Sequence, residues 1–301
     1  MEKASADLIK EYTLYLQLEC GYSPNSVDAY VRDVGKLVAF LESERLSLFH
    51  IDVSVLHEFM ATLADVGIHP RSQARILSGI KSFYRYLALE GKIEIDPTEL
   101  MESPKIGHRL PEVLTIEEID AILAAIDLSK PEGQRNKAML ETLYSCGLRV
   151  SELIAVKFSD LFFEEGFIRV TGKGDKQRLV PISPKAIREI ELYFHNRKNT
   201  EAKKGDEEIL FLSKRHTSLS RIMVFHFIKE LAEVVGIKKN VSPHTFRHSF
   251  ASHLLEGGAN LRAIQEMLGH EKITTTEIYT HVNNQYLREE ILTHHPWYNR
   301  L

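Results

Sequence analysis

Apolar positions recur at helical spacing through the first hundred residues. Leu8, Tyr12, Tyr15 and Leu16 form one stripe of a helix running from about Ala4 to Leu18, and the Cys20-Gly21-Tyr22-Ser23 stretch ends it. Ser23 then caps a second helix with Pro24 at its first position, followed by Val27, Tyr30, Val31, Val34, Leu37, Val38 and Leu41. A third, shorter helix is predicted over Val53–Leu63. The fourth, Arg71–Leu89, carries two opposed faces. At about 100° per residue, Ile76, Leu77, Ile80, Phe83, Tyr84 and Leu87 fall in one arc, and Arg71, Arg75, Ser78, Lys81, Ser82 and Arg85 fall in the other. A basic face mixed with small hydroxyl residues suits phosphate contacts. A solvated face is the plainer reading of the same pattern.

The pattern changes after Asp96-Pro97. Residues Ser103 to Pro111 hold two prolines, a glycine and the cations or imidazole of Lys105, His108 and Arg109, which predicts an extended, positively charged strap. Thr115-Ile116-Glu117-Glu118 is a capping box that opens a second domain. Helices follow over Gln134–Ser145 and Val150–Val156. A small β element comes next: Gly166–Val170, a tight turn at Gly172-Lys173-Gly174-Asp175, and Arg178–Ile182. The remainder reads as helical through Trp297. The prediction is a mainly α chain of two domains. A helical bundle fills 1–100, a linker 101–112, and a mixed α+β domain with a small antiparallel sheet 113–301, whose last helix begins near Gln285.

A length of 301 residues also exceeds what one core usually organises. With 44% hydrophobic and 27% charged residues the balance is that of a soluble globular protein. Cys20 and Cys146 sit in no metal or redox spacing and read as free thiols of a reducing, cytoplasmic compartment. The charged, helical N-terminus is not a signal peptide, and no apolar run reaches the length of a membrane span. The net charge of −4 does not by itself point to nucleic acid. Residues 1–108 hold 11 Lys/Arg against 16 Asp/Glu, and residues 109–301 hold 27 against 26. Any DNA surface must therefore be a local basic face.

Several segments carry candidate chemistry. Arg149 stands where a glycine-containing turn meets a helix, with Glu152 one turn on; a surface ion pair worth little is the bland alternative. Lys173, between two glycines at a hairpin tip, either projects a cation into a site or is a solvated turn lysine. Ser242-Pro243 starts a helix on which His244 and Arg247 share a face near the N-terminus, where free N–H groups favour an anion. His248, four residues after His244, raises a metal site, but no third ligand lies in register and none is predicted. Asn260 caps a helix that ends at Leu268-Gly269 and delivers His270; nine residues later comes Tyr279, a type of residue that more often packs than reacts.

Taken together, R-x-S-E-L at 149–153, G-K-G at 172–174, H-x-F-R-H at 244–248, L-G-H at 268–270 and Y-T-H at 279–281 resemble the signature of the tyrosine site-specific recombinases of the phage-integrase family, in order and spacing. The likeness is greatest to the Xer type, which resolves chromosome dimers at cell division, and covers essentially the whole chain. It implies a SAM-like core-binding domain before a catalytic domain. It also implies an enzyme that cleaves and rejoins DNA through a 3′-phosphotyrosyl intermediate on Tyr279. Arg149 and Arg247 would bind the nonbridging phosphate oxygens, and His270 would add a donor. His244 would be the base for a phenol whose ordinary pKa is near ~10. Lys173 would protonate the leaving 5′-oxygen, and Glu152 would orient the site. Arg71, Arg75, Lys81 and Arg85 are the candidate DNA contacts of the first domain.

The resemblance further implies that no metal, cofactor or nucleotide is used. Its implied partners are a duplex recombination site, three further protomers (self or a paralogue) and a regulating DNA translocase. The two domains would close as a clamp on the duplex, with the terminal helix docked on a neighbour or on its own domain. Two rival functions stand beside this one. Integrases of mobile elements often carry an extra arm-binding domain before the core-binding helices, with which this chain opens. A type IB topoisomerase shares the phosphotyrosine chemistry, and the small size and terminal helix weigh against it.

Overall fold

A computed structural model describes residues 2–104, 112–198, 200–269 and 282–298. The chain divides into two compact units, Met1–Arg109 and Leu110–Leu301.

The first unit is four helices: α1 (Glu2–Leu18), α2 (Pro24–Ser43), α3 (Val53–Asp65) and α4 (Pro70–Leu89). Local chemistry sets three of the starts. Ser23 Oγ accepts from the Ser26 N–H, Asp52 Oδ1 from Ser54 and Val55, and His69 Nδ1 from Arg71. Leu8, Tyr12 and Leu16 of α1 meet Val34 and Leu37 of α2 and Ile76, Ile80 and Phe83 of α4 in one core. Tyr12 stands edge-on to Phe83 at 5.0 Å. Helices α2 and α4 also share a half-buried ion pair, in which the exposed Arg75 donates to both oxygens of the fully buried Asp33. Gly79 permits the approach, since a methyl group there would lie 3.1 Å from the Asp33 side chain.

The second unit surrounds α6 (Gly133–Ser145), preceded by α5 (Ile116–Ala124) and followed by the short α7 (Val150–Ile154). Nearly every described side chain of α6 is buried, including Arg135, Asn136, Glu141 and Thr142, so this helix is covered on all sides. The sheet comprises β1 (Leu161–Phe162), β2 (Phe167–Thr171) and β3 (Gln177–Pro181), antiparallel in that order. Val170 faces Arg178 and Ile168 faces Val180 across the last pair. Between them the chain makes a tight turn at Lys173–Asp175, with positive φ at Gly174 and Asp175. Helices α8 (Pro184–Lys198), α9 (Arg221–Val234), α10 (Pro243–Glu256), α11 (Leu261–Leu268) and α12 (Val282–His294) complete the unit.

Two expectations need correction. Strand β1 was not predicted; two residues are too few to show an alternation. The span after the hairpin is not helical throughout. Residues 200–220 hold no helix and are tied down by single bridges, Lys157 to Ile209 and Leu212 to Ser218, with Leu210 and Phe211 buried between. The positive φ of Gly205 and His216 is incompatible with a continuing helix. The terminal segment packs on its own unit. Leu287, Ile291, Trp297 and Tyr298 belong to the core, Glu290 accepts from the Asn260 N–H at 2.7 Å, and His294 Nδ1 lies 2.6 Å from the Gly257 carbonyl oxygen.

Candidate active site

Helix α6 ends at Cys146, and the next residue, Gly147, has φ +57; a methyl group there would sit 2.3 Å from the Phe250 ring. This left-handed turn reverses the chain and sets Arg149 immediately before α7. Glu152, one turn on, is buried, which removes the surface-pair reading. Its Oε2 accepts from the Arg149 backbone N–H at 2.8 Å and its Oε1 from Arg149 Nη1 at 2.7 Å.

Two more guanidinium groups converge on the same carboxylate. Arg178 of β3 donates from Nη1 and Nη2 to both oxygens at 3.0 Å, and Arg247 Nη1 of α10 lies 3.7 Å away. Burial alone would raise the Glu152 pKa. The hydrogen bonds and charges of Arg178 and Arg149 outweigh it and hold the carboxyl below its ordinary range.

The three arginines meet again at the end of α11. Arg178 Nε donates to the Met267 carbonyl at 2.8 Å, Arg247 Nη2 to Leu268 at 2.5 Å and Arg149 Nη2 to Gly269 at 3.2 Å. A helix leaves its last carbonyls without intrahelical partners and carries a partial negative charge there. Here three successive carbonyls each receive one cation. Gly269 closes the helix with φ +64, and His270 is the next residue in the chain. Arg247 also donates to the Gly147 carbonyl at 2.9 Å, which ties α10 to the turn before Arg149.

Charge in this cluster is unbalanced. One carboxylate and one helix end face three guanidinium groups, which leaves a site that attracts an anion. Burial, then the charge of Arg149, lowers the Arg247 pKa to about 10, still cationic at neutral pH. Each guanidinium has five N–H donors. Arg149, whose side chain is 34% exposed against 9% for Arg247, is the more accessible. His244, exposed in the first turn of α10, has its pKa lowered by partial burial and then by His248, Arg247 and Arg149. It is therefore a neutral imidazole at pH 7, able to accept a proton.

The structure thus gathers Arg149, Glu152 and Arg247, with His244 near enough to feel the two arginines. Lys173 lies in the β2–β3 turn. His270, Tyr279 and His281 lie outside the described residues, as does most of the basic strap. Of the α4 positions, Arg71, Arg75 and Arg85 are exposed. Arg75 also donates to Asp33, and Lys81 Nζ donates to the Met101 carbonyl at 2.5 Å, so each of these two has a partner within the unit. Arg178 was missed. Its signal is a charge on the strand face it shares with buried Val180, where the alternation calls for an apolar residue.

Residues 112–286 match the phage integrase family, and residues 9–91 match the phage integrase N-terminal SAM-like domain. The chain is 41% identical over 290 residues to tyrosine recombinase XerD of Staphylococcus aureus (strain N315) and to that of Staphylococcus epidermidis, spanning 96% of this chain and 98% of each relative. Among solved structures, the XerA recombinase matches with a TM-score of 0.50 at 27% identity, over 97% of this chain and 99% of that one. XerH bound to a palindromic difH substrate, a post-cleavage complex, matches at 0.71 and 22%, over 88% and 79%. A lambda integrase tetramer bound to a Holliday junction matches at 0.69 and 19%, over 91% and 80%. The last two likenesses are of fold. No helix among the described residues is long and apolar enough to cross a membrane.

Proposed function

The chain belongs to the phage integrase family as a Xer-type tyrosine recombinase, an enzyme of site-specific DNA cleavage and rejoining, and on that premise we propose how its residues divide the work. Tyr279 attacks a backbone phosphorus through its phenol oxygen. The bond to the 5′-oxygen breaks, leaving a 3′-phosphotyrosyl enzyme and a free 5′-hydroxyl. Neutral His244 takes the phenol proton, and Lys173 gives a proton to the departing 5′-oxygen. Arg149 and Arg247 hold the nonbridging oxygens as charge builds on them, with His270 as a further donor. Attack by the 5′-hydroxyl of a partner strand reverses the chemistry. The ester conserves the bond energy, so no nucleotide is consumed.

The observation that carries this reading is the cluster itself. Three guanidinium groups are held by one buried carboxylate and one helix end, beside an imidazole whose pKa is lowered. Such a cluster suits a phosphodiester anion. The proposed substrate is a duplex recombination site, bound by four protomers that are copies of this chain or of a paralogue. The proposed role is resolution of chromosome dimers in the cytoplasm at cell division, under a DNA translocase. The exposed Arg71 and Arg85 are assigned to phosphate contact from the first domain.

The test is a Tyr279→Phe variant mixed with DNA carrying the site. It should bind with nearly unchanged affinity and form no denaturant-resistant adduct. An adduct on the Phe variant would refute the assignment and send the search to His281 and Tyr286. Sequencing the protein-linked 3′ ends from chromosomal DNA tests the cellular role, which requires one chromosomal locus rather than the ends of a mobile element.

A further inference from the structure

Arg178 stands outside the roles assigned above, yet it joins the carboxylate of the site to the end of α11. It sits on β3, opposite Val170 and three residues beyond the turn that holds Lys173. Its Nη atoms grip both oxygens of Glu152, and its Nε holds the Met267 carbonyl. A methyl group built on Gly269 would fall 3.1 Å from Arg178 Nη1. One built on Gly172, at the base of the hairpin turn, would fall 3.5 Å from Nη1 and 3.7 Å from Glu152 Oε1. Gly269 thus lets backbone pass close against the guanidinium on one side, and Gly172 lies within ordinary contact of it on the other. The group is largely covered, its side chain 15% exposed, and its three nitrogens all have partners within the protein. That is the geometry of a clamp rather than of a phosphate ligand.

We propose that Arg178 is a positioning residue that locks the Lys173-bearing hairpin to Glu152 and to the end of α11, so that proton donor and phosphate-binding arginines are in register when DNA is cut. The proposal rests on the assignment of Lys173 as general acid. Without Arg178 the hairpin loses its tie to Glu152 and to the end of α11, and Glu152 loses the guanidinium that grips both its oxygens. A lysine at this position supplies the charge but cannot reach both oxygens and the Met267 carbonyl together.

The experiment compares wild type, Arg178→Ala, Arg178→Lys and Lys173→Ala in single-turnover cleavage at saturating DNA. It uses an ordinary site and one with a 5′-bridging sulfur, whose leaving group needs little protonation. Misplacing a reacting group by about an ångström costs on the order of a hundredfold. Arg178→Ala should therefore lose up to about that much on ordinary DNA, with affinity within about twofold. It should recover most of the loss on the sulfur substrate, as Lys173→Ala should. Arg178→Lys should fall between and, keeping the long side chain and charge, covers the case in which the alanine variant does not fold.

Wild-type cleavage by both Arg178 variants overturns the proposal. So does a defect that persists on the sulfur substrate while that of Lys173→Ala is relieved, because Arg178 would then act only through the arginines. If Lys173→Ala itself is not relieved, the general-acid assignment fails. The clamp is then judged by hydrogen exchange in the DNA-bound enzyme. Exchange at the Gly172 amide, which donates to Lys176 at 2.8 Å, should quicken in Arg178→Ala while the α10 amides hold; unchanged exchange at Gly172 overturns it.

Discussion

Acid should loosen the C-terminal anchor through His295. This imidazole is fully buried among Tyr144, Phe250, Trp297 and Tyr298. Its Nδ1 accepts from the Trp297 backbone N–H at 3.2 Å, which places the ring proton on Nε2, a buried atom with no hydrogen-bond partner among the described residues. Burial, and then the nearby His253, depress its pKa to about 3. Undocked, the same group titrates near ~6.5. Between those values the undocked tail binds a proton that the docked tail refuses, so docking weakens as pH falls and is insensitive to this group above ~6.5. The loss is roughly 1 kcal/mol at pH 5.5 and roughly 3 kcal/mol at pH 4.5, from a little over ~1 kcal/mol per pKa unit. His253, its pKa also lowered by burial, contributes with the same sign. Trp297 is the chain's single tryptophan, stacked edge-on against Tyr144 at 4.4 Å with the Lys185 ammonium over its ring, so its fluorescence reports this site alone. Denaturant titrations followed at Trp297 should show a midpoint falling from pH 6.5 to 5, and His295→Asn, which keeps an acceptor for the Trp297 N–H, should flatten that slope. A midpoint constant over this range in wild type, or the same slope in the variant, would refute the reasoning.

Other outcomes follow from the same geometry. Arg149→Ala or Arg247→Ala should slow single-turnover cleavage by roughly a hundredfold or more, as for a lost transition-state donor, and chelators should leave wild-type cleavage unchanged; silencing by chelator and rescue by a divalent ion would sink the scheme. Glu152→Gln should lower stability by about 3–5 kcal/mol, the cost of removing one partner from a buried charge cluster, read as a shift in the denaturation midpoint. Gly147→Ala forces a side chain into the left-handed region, about 1–2 kcal/mol, and against Phe250, another 1–3 kcal/mol. Phe250→Leu in the same chain should recover only the second part, and full recovery would show that the backbone there is not strained.

The helices of the first unit were legible because each buries one face. In α4 the apolar arc is the buried one. The pattern fails where burial is not one-sided. Helix α6 is covered all round and holds buried Arg135, Asn136 and Glu141, so its sequence reads as weakly amphipathic while its position is the most central. Glu141 shows what this costs. Burial, opposed by Lys185, raises its pKa to about 7. Residues 200–220 mislead in the opposite sense, because Leu210 and Phe211 supply an apolar pair without a helix to carry it.

Residue type and spacing put Arg149, Glu152 and Arg247 together, and the structure does too, but their supporting contacts were not legible. Sequence placed Arg149, Glu152 and Arg247 in one set. It could not show that Glu152 is shared by a third arginine, because Arg178 is 26 residues from Glu152 along the chain and meets it only through the fold of the sheet. Nor could it show what holds three like charges together. Two guanidinium groups at contact distance repel, and a single carboxylate offsets only one of them. The end of α11 supplies the rest, through three carbonyls that the helix leaves unpaired and a dipole of the required sign. The backbone therefore does work that no side-chain motif records. Leu-Gly at 268–269 matters because it ends a helix where the arginines need acceptors, and the left-handed Gly269 that ends it also directs the chain onward to His270. A substitution that extended α11 past Gly269 would withdraw those carbonyls from the arginines with every motif side chain intact.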